Sequence, residues 1–297
     1  MNCKKILFSL IVLLMPMGFI AQFHVDVVHF NFQTRSSSYK NHPDWNTQID
    51  NYNCSIFLGK EFKNKNVLFV SVAGEKILGN ISQEINYKVD LSGLALASGF
   101  QKVSKNEKWA TTFGSILKRV SSYNDVDKVN GFQFGGYLLE SWKVNDNVKL
   151  KAGMYYNREA FGDFFIPLLG IDWRVNDKFK LYGTLPSFYK IEYNPVKDKL
   201  YTGLHFKTTT SSYFLGEAYG NSYVRYDEIQ LKLFLDCFIY KKIILYAELG
   251  TSLGNYQLRY NAGNSQLDVP ADAVQKMTPV FSAGLAYRIR FDLQSNK

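Results

Sequence analysis

Histidine is the side chain in this sequence best suited to acid–base chemistry, because it titrates close to neutral pH. The chain has four histidines: His24, His29, His42 and His205. Only His205 lies in a clearly alternating segment, on a polar face that it shares with Tyr201 and Lys207. No serine motif that could supply a nucleophile accompanies it. We therefore predict a wall residue at His205, no catalytic residues and no enzymatic activity.

Metal and phosphate chemistry have equally little support. Asp125 and Asp127 stand two residues apart but lack the other oxygen ligands of a calcium loop. The segment from Gly250 to Gly254 lacks the lysine and the following helix of a phosphate-binding loop. We expect no metal, no cofactor and no nucleic-acid partner.

The elements that carry these residues are predicted to be strands, and the last of them is the most informative. Between residues 278 and 291, apolar and small or cationic residues alternate with a period of two. One face carries Phe281, Ala283, Leu285, Tyr287, Ile289 and Phe291. The other carries Ser282, Gly284, Ala286, Arg288 and Arg290. One apolar face and one polar face suit a strand between lipid and a hydrated interior.

Similar alternation recurs along the chain, most clearly at residues 148–156, 169–175 and 229–237. The chain is rich in Phe (23) and Tyr (20) and poor in Pro (7). After residue 21 no apolar run approaches the roughly 18 residues that a membrane helix needs. The fold class that this pattern predicts is all-β: a transmembrane antiparallel β-barrel.

Short Asn-, Asp- and Lys-rich turns alternate with longer connections, which predicts about fourteen strands, with twelve as the alternative. The predicted strands are 23–34, 52–62, 66–77, 84–101, 109–121, 130–143, 148–158, 166–175, 178–185, 188–194, 199–208, 226–239, 243–254 and 278–291. Short turns and both termini are expected on the periplasmic side.

The first 21 residues read as a secretory signal peptide, with Lys4 and Lys5 before an apolar run that is too short to span a bilayer. Residues 22–297 then form one barrel domain. Cys54 and Cys237 are interpreted as small apolar residues and not as a disulfide.

The polar faces of the predicted strands define a candidate lumen. Its predicted lining residues are Lys149, Lys151, Asp172, Arg174, Lys190, Glu192, His205, Lys207, Lys232, Asp236, Glu248 and Arg288. Cations outnumber carboxylates, so a hydrated lumen would favour anionic solutes. The alternative is that these charges pair across strands and neutralise one another.

The end of the last strand resembles the C-terminal signal that the barrel-assembly machinery recognises, with Gly284, Tyr287, Ile289 and Phe291 in the positions that matter. Together with the segment Pro167-Leu-Leu-Gly-Ile-Asp-Trp173 and the turn Val175-Asn-Asp-Lys178, this end resembles a family of uncharacterised outer-membrane β-barrel proteins of Bacteroidota-type bacteria, a domain of unknown function. The resemblance covers nearly all of the chain after residue 21. It implies the outer membrane of a Gram-negative bacterium and carries no active site.

The sequence thus predicts a monomeric outer-membrane barrel that acts as a passive channel or transporter for small, anionic or amphipathic solutes. Its expected partners are outer-membrane lipids, the assembly machinery and those solutes. Two alternatives stay open: a lipid-modifying enzyme that uses His205, and a structural or adhesive barrel. The adhesive barrel would bind through the predicted loops at residues 35–51 and 255–277.

Overall fold

The chain folds into a closed antiparallel β-barrel of fourteen strands. The computed structural model describes residues 23–38, 46–81, 87–122, 131–216, 222–259 and 277–291. The strands are β1 His24–Ser38, β2 Asn46–Glu61, β3 Val67–Ile81, β4 Tyr87–Val103, β5 Trp109–Ser122, β6 Phe132–Lys143, β7 Val148–Glu159, β8 Gly162–Arg174, β9 Phe179–Leu185, β10 Phe188–Val196, β11 Leu200–Gly216, β12 Ser222–Tyr240, β13 Ile243–Arg259 and β14 Thr278–Arg290. Each strand pairs with the next along the chain, and β14 pairs with β1. The predicted fold class and the count of fourteen are confirmed, and the alternative of twelve is wrong.

The predicted signal peptide, residues 1–21, lies outside the described residues, as do Asp125 and Asp127. Within the described ranges, no helix has the length and apolar character needed to cross a bilayer.

Exposure alternates along the strands and shows which face of the sheet is outside. In β12, Leu231 and Leu233 are 51% and 62% exposed, whereas their neighbours Lys232 and Phe234 are 3% and 2% exposed. Successive strand side chains point to opposite faces. The apolar set therefore forms the outer surface, and the polar set faces the interior.

Two of the short connections are built in the same way. The Asn145 side-chain oxygen accepts hydrogen bonds of 2.9 Å from the backbone N–H groups of Asn147 and Val148. Asn176 repeats this with Lys178 and Phe179, both at 2.8 Å. Asparagine favours such turns because its side chain substitutes for a backbone acceptor. We call the end of the barrel that carries these turns the turn end, and the opposite end the loop end.

The barrel is closed by pairing between β1 and β14. The two strands pair from His24 with Arg290 to Arg35 with Val280, and one irregularity lies between Asp26 and Val28. At the turn end, the Phe291 N–H donates to the Phe23 carbonyl at 3.0 Å. The strand predicted to close the barrel therefore does so.

Several strands extend further toward the loop end than predicted. β1 continues to Ser38, β2 begins at Asn46, and β13 continues to Arg259. The predicted loops at residues 35–51 and 255–277 are therefore partly strand. The ladder there is built from polar residues, such as the Ser36–Gln48 pair, so hydrophobic alternation gives no signal.

Candidate functional site in the barrel interior

The interior contains a cavity of about 470 Å³, which we call the chamber. Seven of the predicted lumen residues lie on its wall: Lys190, His205, Lys207, Lys232, Asp236, Glu248 and Arg288. They come from β10 to β14, and each lies on the inward face that its strand's alternation sets. The chamber volume falls within the range of about 300–1,000 Å³ that is typical of small-molecule sites.

One group of charged side chains on the chamber wall is neutralised by an ion pair within the protein. Lys232 forms an ion pair with Glu248, and His205 Nδ1 lies 2.7 Å from the same carboxylate. Strand register explains this grouping, because His205 pairs with Lys232 between β11 and β12, and Glu248 projects from the next strand, β13. Sequence order could not show it, since the histidine and the carboxylate are 43 residues apart.

Two chamber lysines differ from the rest. Among the described residues, neither Lys190 nor Lys207 has a carboxylate within ion-pairing distance. Lys190 Nζ lies 4.6 Å from the centre of the Phe234 ring, a cation–π contact. Lys207 is exposed to the chamber. Within the described ranges, the chamber therefore holds two ammonium groups that form no ion pair with a carboxylate.

An aromatic pair forms another part of the chamber wall. The His29 and Tyr246 rings stack with centroids 5.4 Å apart and planes 6° apart. The Tyr246 hydroxyl is 2.7 Å from His29 Nε2 and donates to the Phe30 carbonyl at 2.9 Å. Gly284 makes room for this ring, since a Cβ atom at position 284 would overlap it. Gly284 thus has a packing role in the folded barrel besides its predicted place in the assembly signal.

An ionic cluster fills the turn end of the interior beside the chamber. The Arg288 guanidinium donates to Asp26 at 2.6 Å and forms a second ion pair with Asp236. Arg290 donates to Glu192 at 2.5 Å. All five side chains lie inside the wall, and the two arginines are only 4% exposed. The predicted residues Asp236 and Arg288 therefore meet in one ion-paired group, and Glu192 belongs to the neighbouring pair with Arg290.

The remaining predicted lumen residues lie on β7 and β8, away from the chamber. Lys151 donates to Asp172 at 2.6 Å, and Lys149 shares its face. Arg174 lies 5.9 Å from the centre of the Phe23 ring. Lys151 lines a second cavity of about 400 Å³, whose wall shares Asp26 with the chamber.

At the loop end, one hairpin folds into the barrel. Residues 208–216 of β11 and 222–226 of β12 form what we call the mouth hairpin. The pairing of β11 with β10 ends at Lys207, while its pairing with β12 continues to Gly216. Phe214 then pairs in parallel with Ser121 on β5. Because β5 and β11 are separated in the barrel by five other strands, the hairpin crosses the mouth.

Polar contacts hold the mouth hairpin to the opposite wall. The Ser212 hydroxyl donates to Glu159 on β7 at 2.7 Å, and Gln133 on β6 donates to the Ser212 carbonyl at 2.8 Å. The Tyr213 hydroxyl donates to Glu75 on β3 at 2.6 Å. These bonds join residues 53 to 138 positions apart in sequence.

Apolar side chains seal the same level of the barrel. A buried cluster joins the hairpin to β2, β3, β4 and β5; its members are Ile49, Ile77, Leu91, Val120, Tyr213, Val224 and Tyr226. Beside it, Arg35 donates to Tyr226 at 2.5 Å and pairs with Glu228. In this conformation the mouth hairpin lies across the loop-end mouth above the chamber.

Sequence reasoning missed this closure. Tyr213 and Val224 lie between the predicted strands 199–208 and 226–239, where no strand was predicted. A period of two continued from those strands places Tyr213, Val224 and Tyr226 on the polar, inward face, but it does not show that they meet across the lumen. In the structure, β11 continues beyond residue 208 to Gly216 and is much longer than its neighbours β9 and β10. The predicted strand ended at residue 208 and gave no sign of this extension.

The remaining sequence-level assignments concern the outer surface and chemistry. Cys54 and Cys237, interpreted from sequence as small apolar residues, are free thiols with exposed side chains. Of the predicted assembly-signal residues on β14, Tyr287 is partly exposed and Ile289 is buried. In the described part of the chain, no group of three or more His, Cys, Asp or Glu side chains is arranged to hold a metal ion.

Several solved outer-membrane barrels have a similar fold. The crystal structure of the COG4313 outer membrane channel from Pseudomonas putida F1 is 10% identical, covers 91% of this chain and 97% of its own, and has a TM-score of 0.48. The TodX monoaromatic hydrocarbon channel deltaS2 mutant is 8% identical over 93% and 92% of the two chains, with a TM-score of 0.43. The translocator domain of the autotransporter NalP from Neisseria meningitidis is 9% identical over 96% and 95%, with a TM-score of 0.37.

No curated protein matches the sequence. Residues 99–288, which run from the end of β4 to β14, match a family model described as a domain of unknown function (DUF6268). That match spans more than half of the chain, and the chain therefore belongs to the DUF6268 family.

Proposed function

We propose that the protein is an outer-membrane channel that lets small solutes pass passively and favours anions. The observation that carries this proposal is the chamber with Lys190 and Lys207 inside a barrel whose outer face is apolar. In the part of the chain that the structure describes, neither lysine forms an ion pair with a carboxylate. A low-dielectric wall concentrates the field of such groups within the lumen.

The outer surface supports a membrane location. Leu231, Leu233 and Leu249 are all more than half exposed, and other strands around the barrel also carry exposed large apolar side chains. Exposed apolar surface on this scale is unfavourable in water and favourable in a bilayer. Closure of the sheet leaves no unpaired edge in the hydrocarbon.

The charges and the hairpin in the barrel interior favour a selective channel over a wide, non-selective pore. Most of the predicted lumen charges on the described strands form ion pairs, so Lys190 and Lys207 are the cations in the chamber that are available to a solute. The mouth hairpin closes the loop end in this conformation, and passage of solutes requires its displacement. We infer a gated channel and not a permanently open one.

The lipid-modifying alternative is less well supported. His205 and Glu248 have the spacing of a histidine–carboxylate dyad, but they face the chamber and not the lipid. Within the described ranges, no serine hydroxyl is hydrogen-bonded to His205. Glu248 is also engaged by Lys232, so we infer a wall role for the pair and a non-enzymatic protein.

The proposal is tested by current measurements on the refolded barrel in a planar bilayer. Under a salt gradient we expect a reversal potential of the sign that marks anion selectivity. Lys190→Glu with Lys207→Glu should move that potential toward cation selectivity, because the two charges that face the solute are inverted.

The matched control is Lys105→Glu with Lys178→Glu, which makes the same charge change on two exposed turn residues. The control should move the potential far less. A folded barrel that passes no current, or equal shifts in both double variants, would contradict the proposal.

A further inference from the structure

We propose that the chamber is a binding site for one small organic dianion, held by Lys190 and Lys207. This deepens the proposed channel function and rests on it for biological meaning, although the binding site can be tested without conduction. Four observations carry it.

The first observation is the missing counterion. Removing an ammonium group from bulk water is costly unless an opposite charge or hydrogen-bond acceptors replace the water. Lys232 and Arg288 have carboxylates within ion-pairing distance on the same wall. Lys190, which is partly buried, and Lys207, which is exposed to the chamber, have none among the described residues, so both ammonium groups are available to a solute anion.

The second observation is the spacing of the two lysines. On the adjacent strands β10 and β11, Lys190 pairs with His205 and Phe188 pairs with Lys207. The two lysines are therefore diagonal neighbours on the inward face. Diagonal neighbours of an antiparallel pair lie about 7–8 Å apart. That spacing separates the two strand positions, and the flexible side chains let both ammonium groups reach one ligand with two acidic groups on a short carbon skeleton.

The third observation is that one of the two lysines is held in place. The Phe234 ring, which is 2% exposed, lies under the Lys190 ammonium group. This contact restricts the long side chain before any ligand arrives, so less conformational entropy is lost on binding. Lys207 stays open to the chamber and can adjust to the ligand.

The fourth observation is enclosure. The mouth hairpin closes the loop end, and the Arg288 cluster fills part of the turn end, so the chamber is bounded along the barrel axis. Its volume of about 470 Å³ is large enough for a small organic acid and its bound water. Bounded volume and fixed charge favour stoichiometric binding over simple passage.

The test is isothermal titration calorimetry on the refolded barrel in detergent micelles, with succinate as the probe and constant ionic strength. We expect saturable binding of one succinate per barrel. Lys190→Gln and Lys207→Gln should each weaken it by about tenfold or more, because each removes one charge-assisted hydrogen bond. The turn variants Lys105→Gln and Lys178→Gln should leave it unchanged.

Two further probes define the ligand chemistry. Acetate, with one carboxylate, should bind at least about tenfold more weakly than succinate. Glycerol phosphate tests whether a phosphate ester is the preferred dianion; binding tighter than that of succinate, lost in the same two variants, supports the site and assigns it to phosphate esters.

The outcomes separate this inference from the channel proposal. Non-saturable heats, or equal affinity for acetate and succinate, overturn the binding site even if bilayer currents are anion-selective. Saturable binding that is lost in both glutamine variants supports the site even if the barrel passes no current. Because Lys207 is exposed, its substitution by glutamine leaves the buried packing intact and keeps the test interpretable.

Discussion

Arg288 shows how the lumen charges stabilise the barrel at the scale of single residues. Its guanidinium lies between Asp26 on β1 and Asp236 on β12 and so joins three strands across the closing seam. Arginine suits this place, because its planar group can donate to two carboxylates at once.

We predict that Arg288→Met destabilises the barrel by about 3–5 kcal/mol, since two buried carboxylates lose their partner. The free energy of unfolding, from urea titration of the barrel in phospholipid vesicles, measures this. The triple variant that adds Asp26→Asn and Asp236→Asn should recover part of the loss, because the uncompensated charges are gone. A triple variant that is less stable than Arg288→Met would show that the carboxylates contribute through other contacts.

The sequence could place these residues but not their partners. Alternation in β10 to β14 puts Lys190, Lys232 and Arg288 on the polar face. It cannot tell that Arg290 meets Glu192, which lies 98 residues earlier, because the curvature of the barrel decides which strands face each other. The same limit hides Lys207: a lysine without a partner looks the same in sequence as a lysine that has one.

At the scale of elements, the mouth hairpin is the part of the fold that departs from a simple barrel. β11 leaves the barrel wall after Lys207, at the level where the short strands β9 and β10 reach the loop end. The hairpin then exchanges wall contacts for contacts across the lumen. Such an element has fewer ladder hydrogen bonds than the wall and is expected to open at lower free energy than the barrel as a whole.

We predict that Ser212→Ala with Tyr213→Phe raises the fraction of time that the channel is open. Each change removes a hydroxyl that donates to a carboxylate, the buried Glu159 or the partly buried Glu75, and each lost bond costs about 1–3 kcal/mol in the closed state. Single-channel recording measures the open fraction. Neither change alters a formal charge, so selectivity should stay constant while opening increases.

The control for this prediction lies at the same end of the barrel. Tyr156→Phe removes a hydroxyl that donates to Asp163 at 2.8 Å on the exposed surface. It should not change the open fraction. An equal effect of both variants would mean that the hairpin contacts do not hold the channel closed.

Element boundaries at the loop end were the part of the fold that sequence reasoning predicted least well. Hydrophobic alternation identifies strands within the membrane because one face must be apolar there. Above the membrane both faces are polar, and strands such as the end of β13 look like loops. The turn end was easier, since asparagine-centred turns have a local cause.

At the scale of the whole molecule, the outer surface indicates how the barrel would sit in a bilayer. Trp109 and Trp142 stack on the outer surface near the turn end, with centroids 5.7 Å apart. Aromatic residues at that height suit the interface between lipid and water. In the proposed membrane location, the turn end lies at one membrane surface and the middle of β12 lies deep in the hydrocarbon.

That placement predicts a depth-dependent cost for a charge on the outer face of β12. Leu233→Arg, in the middle of the strand, should lower the free energy of unfolding in vesicles by about 2–4 kcal/mol, whereas Ile239→Arg, near the turn end, should cost about 0–1 kcal/mol. Both side chains are more than half exposed, so neither change disturbs interior packing. Equal costs at the two positions would contradict the placement of the barrel in the bilayer. A large cost at Leu233 and a small cost at Ile239 would put the membrane midplane close to the level of Lys232 and Phe234. The chamber would then lie near the centre of the membrane, where a solute anion stabilises an ammonium group most strongly.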